Sequence, residues 1–519
     1  MNKIIIKISL SLFVFCFTGS VNGQVDKKIL NWYNGCGAGM QTDKAYKKLK
    51  NRKTTTVIVA IIDSGIDIEH EDLVGKIWVN KDEIADNGID DDGNGYIDDV
   101  HGWNFLGNAE GESANDMRLE MTRILKKLSS KDELTEQEAA LLEKVTNDVE
   151  GDRAKYEGYL AQLDMMIPMI NSIPGMVAKE LGKEDYTMKD LKKWKASPDQ
   201  GQMKSMAMAI LSGDLSEDAL SKQKDQIQGM LDTHLAVDFN GRELVGDDPD
   251  DFSQVSYGNN DVEGPDALHG THVGGIVGAI RGNDLGGDGV ANDVLLMSIR
   301  AVPNGDEFDK DIALAVRYAV DNGASVINMS FGKKYSPNQK EVYEAFEYAD
   351  SKGVLCIHAA GNSHKNIDVE QNYPTSLYSF QTEKLDHFLT IGSSTKDSKE
   401  KLPSSFSNYG KSGVDVFAPG SEIYNSIPQS EYMVLQGTSM ACPMVSGVAA
   451  MLKSYFPEMT MKEISDVMLS TATSYKGVQQ IHPETKELTD FAELSVVGGV
   501  INVKNAVSKC LEIEKSKTK

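Results

Sequence analysis

The run TTVIVAII at residues 55–62 is continuous, apolar and rich in β-branched side chains, and it constrains the fold more than any other stretch. A strand with one face in water alternates apolar and polar residues, whereas a strand covered on both faces reads as one apolar run. Runs of the same kind return at 294–302 (VLLMSIRAV), 325–330 (SVINMS), 354–360 (VLCIHAA), 388–393 (FLTIGS) and 414–419 (VDVFAP). Between them lie stretches with helical apolar spacing, such as 309–321 and 338–351, the latter carrying Val342, Phe346 and Ala349 on one face. Gly323 and Gly353 follow these stretches at helix-ending positions. Strands alternating with helices predict an α/β fold, a mainly parallel sheet wrapped by helices through right-handed crossovers.

Residues 113–236 break that rhythm. They hold half of the chain's 22 Met, many Lys and Glu, and no convincing strand. The segments RLEMTRILKKL, LTEQEAALLEKV, AKYEGYLAQLDMMIPMI and SEDALSKQKDQIQGML read as successive helices punctuated by Pro168, Pro174 and Pro198. The expected organisation is a domain built from 24–112 and 237–508, a helical insertion at 113–236, and a polar C-terminal tail at 509–519. Flexible Met side chains suit the filling of an irregular helical core.

The 519 residues carry a formal charge of −25, from 78 acidic against 53 basic side chains. Binding of phosphate backbones needs a basic face, so nucleic acid is excluded as a partner. Surplus carboxylates suit solubility and hard cations such as calcium. At the N-terminus, Lys3 and Lys7 accompany an apolar run, Ile4 to Phe17, that is short for a membrane span, and Val21 and Gly23 precede Gln24 at −3 and −1. This pattern predicts a signal peptide at 1–23 and an exported chain, secreted or periplasmic, with no membrane span after cleavage. Bulky Phe15 disfavours lipid attachment at Cys16. Four further cysteines follow, Cys36, Cys356, Cys442 and Cys510, at spacings that match no metal motif. Cys356 and Cys442 fall in apolar segments and read as core thiols, while Cys36 and Cys510 pair only if the termini meet.

Reactive groups of open α/β sheets gather at the carboxyl ends of strands. The first strand ends in IIDSGID, which puts Asp63 there, where it either caps a turn or works chemically. In HGTHVGG, His269 and His272 lie one turn apart at the start of a small-residue helix, and either ring could be the important one. In QGTSMACPMVSG, Ser439 either caps a buried helix or is a nucleophile mounted at its end. Asn362, in HAAGNS, is either a turn residue or a donor to a developing oxyanion. Taken together these positions supply what acyl transfer requires: a hydroxyl, an imidazole to take its proton, and a carboxylate to orient the imidazole.

AIIDSGID, HGTHVGGIV, VINMSFG, AAGN and GTSMACP resemble, in order, the motifs of the subtilisin-like serine proteases, over about residues 55–107 and 245–508. The resemblance implies a subtilisin-like three-layer sandwich and a serine endopeptidase acting on protein or peptide substrates without an organic cofactor. It makes Asp63 the orienting carboxylate, His269 the base, Ser439 the nucleophile and Asn362 the oxyanion donor, and leaves His272 to packing. It makes Ser330, Phe331 and Gly332 the edge that pairs with substrate, and Ala359, Ala360 and Gly361 the lining of the pocket before the cut. Pro443-Met444-Val445 departs from the family's usual Pro-His-Val. The insertion has no counterpart in the match, and is expected to pack near the cleft and regulate the enzyme intramolecularly, by restraining or assisting it.

NGIDDDGNGYIDD (87–99) places Asp90, Asp92, Asn94 and Asp98 at positions 1, 3, 5 and 9 of a calcium loop, with Gly95 at the turn and His101 where Glu is usual. Structural calcium and an ion-free polar loop both fit. By the family resemblance, Asp72 and Asn283 form a second cation site. Two other classes of function remain open: an inactive subtilisin-fold protein that binds peptides, and a metal hydrolase using His269 and His272, which lacks an H-E-x-x-H pattern.

Overall fold

The computed structural model describes residues 29–517, so the expected signal peptide at 1–23 and Cys16 lie outside the described residues. One nine-stranded sheet has as its body β1 (Val57–Asp63), β2 (Gly102–Asn104), β3 (Val294–Arg300), β4 (Val326–Met329), β5 (Leu355–Ala359), β6 (Phe388–Ser394) and β7 (Val416–Pro419). Their order is β7-β6-β5-β4-β1-β3-β2, and every adjacent pair is parallel. Gly499–Val500 joins β7 in parallel, and Thr473–Ser474 pairs with it in the antiparallel sense. This is the mainly parallel α/β architecture that the apolar runs predict.

Alternation along β1 creates the layers. Val57, Val59 and Ile61 enter one core with Val273, Ile276 and Val448, beneath the helices Leu268–Gly278 and Thr438–Tyr455. Ala60 and Ile62 enter the opposite core with Ile312, Tyr318 and Phe346, beneath Asp309–Asp321 and Gln339–Ser351. Each fully buried aliphatic side chain contributes about 1.5–3 kcal/mol relative to exposure, which is why both faces of β1 are apolar as far as Ile62. The small residues of the Leu268–Gly278 helix have a steric cause. A Cβ on Gly270 would lie 2.0 Å from the Gly65 carbonyl oxygen, and one on Gly275 would lie 2.1 Å from Ser426 Oγ.

Between β2 and that helix lie Glu120–Ser129, Glu136–Leu181, Met188–Lys193, Gly201–Ser212 and Glu217–Asp232. Pro168 and Pro174 do not punctuate them as the sequence suggests, because Glu136–Leu181 is one helix of 46 residues. Each interior proline costs about 3 kcal/mol. A capping box between Thr135 and Glu138 starts the helix, and Gly182, at φ 63°, ends it. Burial of Val145, Val149, Leu163, Ile170, Ile173 and Val177 along its length offsets the proline cost.

Residues 509–517 are likewise no free tail. The helix Val503–Lys517 runs through them, buries Cys510 and pairs Glu514 with Arg52 at 2.6 Å. Polar composition concealed a single apolar face. Cys36 is exposed and Cys510 buried, both as free thiols, so the disulfide considered between them does not form.

Candidate active site

Strand ends and helix starts converge at one end of the sheet. β1 delivers Asp63 as its last residue, 1% exposed. His269 is the second residue of the Leu268–Gly278 helix, which starts against Gly65. Its Nδ1 lies 2.6 Å from Asp63 Oδ1, which also accepts the Ser64 amide at 2.8 Å. A proton on Nδ1 satisfies this contact and leaves Nε2 as the basic nitrogen. The His269 side chain is 37% exposed. Partial burial pushes its pKa down, but the Asp63 charge and hydrogen bond, with help from Asp266, outweigh that and hold it above the ordinary 6.5.

His272 sits differently. It is fully buried, its Nε2 faces the carbonyls of Ile423 and Met433 at 3.2 and 3.3 Å, and burial pushes its pKa down to about 3. A neutral ring turned to backbone carbonyls is a packing element, and as placed it does not join His269 in holding a metal.

The helix carrying Ser439 begins at Thr438 and is capped by Gly437, so Ser439 lies within the first turn and is not the cap. Its Oγ donates to the Ser330 carbonyl at 3.0 Å, and Ser330 Oγ donates to the Ser439 carbonyl at 2.9 Å. Asp63 and His269 are therefore in direct contact, while the Ser439 hydroxyl rests on the edge that follows β4. Catalytic hydrogen bonds are often unformed in ligand-free sites. Asn362 follows β5, and its Oδ1 accepts the Thr438 amide at 2.8 Å and the Thr438 hydroxyl at 3.0 Å. Those two donors fix the orientation of the amide and leave Nδ2 to donate elsewhere. A Cβ on Gly437 would lie 3.5 Å from both Asn362 Nδ2 and the Ser439 nitrogen, so both nitrogens lie close to one point beside the serine.

A cavity of about 240 Å³ opens there, lined by Ser330, Phe331 and Gly332 on one side and Ala359, Gly361 and Asn362 on the other. Ala360 does not line it. Strand alternation turns its side chain into the core with Phe417 and Phe491. Asn372 and Asn408 line the cavity without having been picked out in the sequence: a Cβ on Gly332 would meet the first, and one on Gly361 the second. Both lie in irregular loops, and nothing in their spacing marks them.

In the 87–99 loop, Asp90 and Asp92 gather with Glu83, their ligand oxygens within 4.8 Å of one another. Glu83 Oε1 accepts the amides of Asp91 and Asp92, whereas its Oε2 is buried without a hydrogen-bond partner. Asn94 borders the group through Asp92 at 3.1 Å. Asp98 points elsewhere, accepting the amides of Asn87 and Gly88. Asp72 and Asn283 do meet, at 2.7 Å, and Asp72 Oδ2 is also buried without a partner. Carboxylate oxygens held this close repel unless a cation or proton lies among them.

Residues 54–490 match the Subtilase family. The chain is 34% identical over 245 residues to a thermophilic serine proteinase from Bacillus sp., a match covering 46% of this chain and 55% of that protein. It is 33% identical to subtilisin DY from Bacillus licheniformis, over 47% of this chain and 83% of that one. A solved protease from Pseudoalteromonas arctica aligns at 27% identity and a TM-score of 0.39, covering 49% of this chain and 78% of the other. With residues 54–490, most of its length, matched to the family, the chain belongs to the subtilases.

Proposed function

We propose that this subtilase is an exported serine endopeptidase that cleaves peptide bonds through an ester on Ser439. The observation that carries the reading is the 2.6 Å contact between buried Asp63 and His269, at the end of the sheet where Ser439 and the Asn362 side-chain nitrogen also lie. His269 Nε2 takes the Ser439 proton as Oγ attacks the scissile carbonyl. The oxyanion accepts from Asn362 Nδ2 and the Ser439 amide, at a helix N-terminus whose unpaired N–H groups favour negative charge. Collapse breaks the C–N bond, with the imidazolium proton passing to the leaving amine. Water then cleaves the ester by the same route and restores the serine. Ser330, Phe331 and Gly332 pair with substrate through backbone groups, which gives affinity with little regard to side chain.

Labelling of the folded protein by a fluorophosphonate, followed by casein cleavage, tests this reading. No labelling, with peptides bound but left uncut, favours the alternative, an inactive subtilisin-fold protein that captures peptides. Asn362→Leu is expected to lower kcat about 10²–10³-fold with KM little changed, the magnitude known for one oxyanion donor in subtilisin itself. Equal loss in KM would move Asn362 from the transition state to ground-state binding.

Structural calcium belongs to the same proposal. Glu83, Asp90 and Asp92, bordered by Asn94, would hold one ion, and Asp72 with the Asn283 amide turned over would help hold another. The orphaned oxygens of Glu83 and Asp72 suit such hard-cation sites. Bound calcium supplies charge neutralisation to the loops and takes no part in the chemistry. Binding only the folded state, it stabilises by about 2.7 kcal/mol at a hundred times its Kd. Chelation is therefore expected to lower the melting temperature, and Glu83→Gln to shrink that shift. A melting temperature indifferent to calcium across a titration would reject the sites. Among the described residues no helix is long and apolar enough to cross a membrane. Export rests on the basic and apolar pattern of residues 1–23.

A further inference from the structure

The insertion meets the α/β domain immediately beside the substrate edge. Lys333 follows Gly332, and its backbone exchanges hydrogen bonds with Tyr373 at 3.0 and 2.9 Å. Its side chain is turned inward: the residue is 4% exposed, and Nζ lies 2.7 Å from Glu120 Oε2, 2.8 Å from Asp309 Oδ1 and 2.8 Å from the Glu307 carbonyl. The ammonium donates to Glu120 and to the Glu307 carbonyl, and is ion-paired with both Glu120 and Asp309.

Asp309 belongs to the α/β domain. Glu120 opens the first helix of the insertion and also binds Arg123 at 2.5 Å. Arg123 is fixed in turn by the carbonyls of Arg118, Asp306 and Glu307. Lys334 and Tyr335 continue the attachment, both reaching Asp148 on the Glu136–Leu181 helix. Tyr335 lies in the insertion's apolar core with Ile124, Val145 and Leu231. Three successive residues after the substrate edge are thus held by the insertion, the first through a buried charge. Removing one partner of such a buried pair leaves the other uncompensated, so the contact resists opening far more than an exposed pair does.

We propose that the insertion is a brace for the cleft. Glu120, acting through Lys333, is a positioning residue that holds Ser330–Gly332 in register for a polypeptide extended along several positions before the cut. The proposal rests on the protease reading above, and adds to it the insertion's hold on the substrate edge. A single-residue substrate meets Ser330–Gly332 only where they line the cavity beside Ser439 and draws little on the brace, whereas one lying along the edge draws on it at every backbone pair.

The test compares a tetrapeptide p-nitroanilide with a single-residue ester, using the full chain as wild type and as Glu120→Gln. In folded Glu120→Gln, KM for the tetrapeptide is expected to rise about tenfold, while ester kinetics stay within about twofold and fluorophosphonate labelling persists. Glu120→Asp keeps the charge on a shorter arm, gives the same split at smaller amplitude, and takes over if the Gln variant does not fold. Lys224→Met removes an exposed pair with Asp164 inside the insertion and is expected to move neither substrate. Equal losses on both substrates, or an unchanged tetrapeptide KM in folded protein, would overturn the brace. A wild-type chain that neither labels nor cleaves the ester overturns the protease reading instead.

Discussion

Ser439→Ala is expected to abolish fluorophosphonate labelling and to lower kcat about 10⁶-fold, with the melting temperature near that of the parent. The large effect follows from the proposed chemistry: without Oγ no ester forms, and the loss of the nucleophile in subtilisin itself costs about 2 × 10⁶. The small effect on stability follows from the geometry. Ser439 Oγ makes one hydrogen bond, to the Ser330 carbonyl, at a half-buried position in the first turn of its helix. One such bond contributes about 0.5–1.5 kcal/mol net. Residual turnover would come from the Asn362 side chain, the backbone N–H at position 439 and substrate binding. Persistent labelling of the alanine variant would sink the assignment, because it would require another nucleophile.

Asp63→Asn is expected to cost about 10⁴ in kcat and to move the pH profile, and the second readout separates an electrostatic role from a structural one. The base is the neutral imidazole. In the wild type the Asp63 charge holds the His269 pKa above 6.5, so kcat/KM falls as pH drops through a value on the alkaline side of 6.5. The amide has no charge to sustain that shift, and its NH2 can face Nδ1 and favour the wrong tautomer. The acidic limb should then move to lower pH. Stability carries the same sign. A raised folded-state pKa contributes stability that is complete below 6.5 and fades as pH rises through the folded value. The Asn variant lacks that contribution, so its melting temperature should fall relative to wild type more at pH 5 than at pH 9. An unmoved limb would mean that Asp63 does not govern the charge on His269.

Much of the fold was legible because a strand buried on both faces has to be written in apolar residues. Helix limits were legible where glycine supplied the stop: 309–321 matches Asp309–Asp321, and 338–351 differs by one residue from Gln339–Ser351. Local rules failed where distant packing outweighed them. Pro168 and Pro174 are helix breakers by propensity, yet both lie within a single helix whose buried side chains offset the cost. Residues 509–517 look polar in composition, yet one face of their helix closes the core around Cys510. Ser439 has the residue type of a cap, but the helix starts one residue earlier and turns it outward.

Of the site, the sequence by itself determined the chemical types and their order. Asp63, His269, Asn362 and Ser439 are each announced by glycine and small-residue neighbours, since a crowded strand–helix junction admits little else. Which histidine meets the carboxylate follows from the packing: His269 faces Asp63, while His272, one turn on, is sealed beneath Ile423 and Met433. Glu83, Asn372 and the Glu120–Lys333 pair were decided by the tertiary structure alone. Their partners lie 7 to more than 200 residues away in the chain, and short-range spacing carries no record of a contact made by folding.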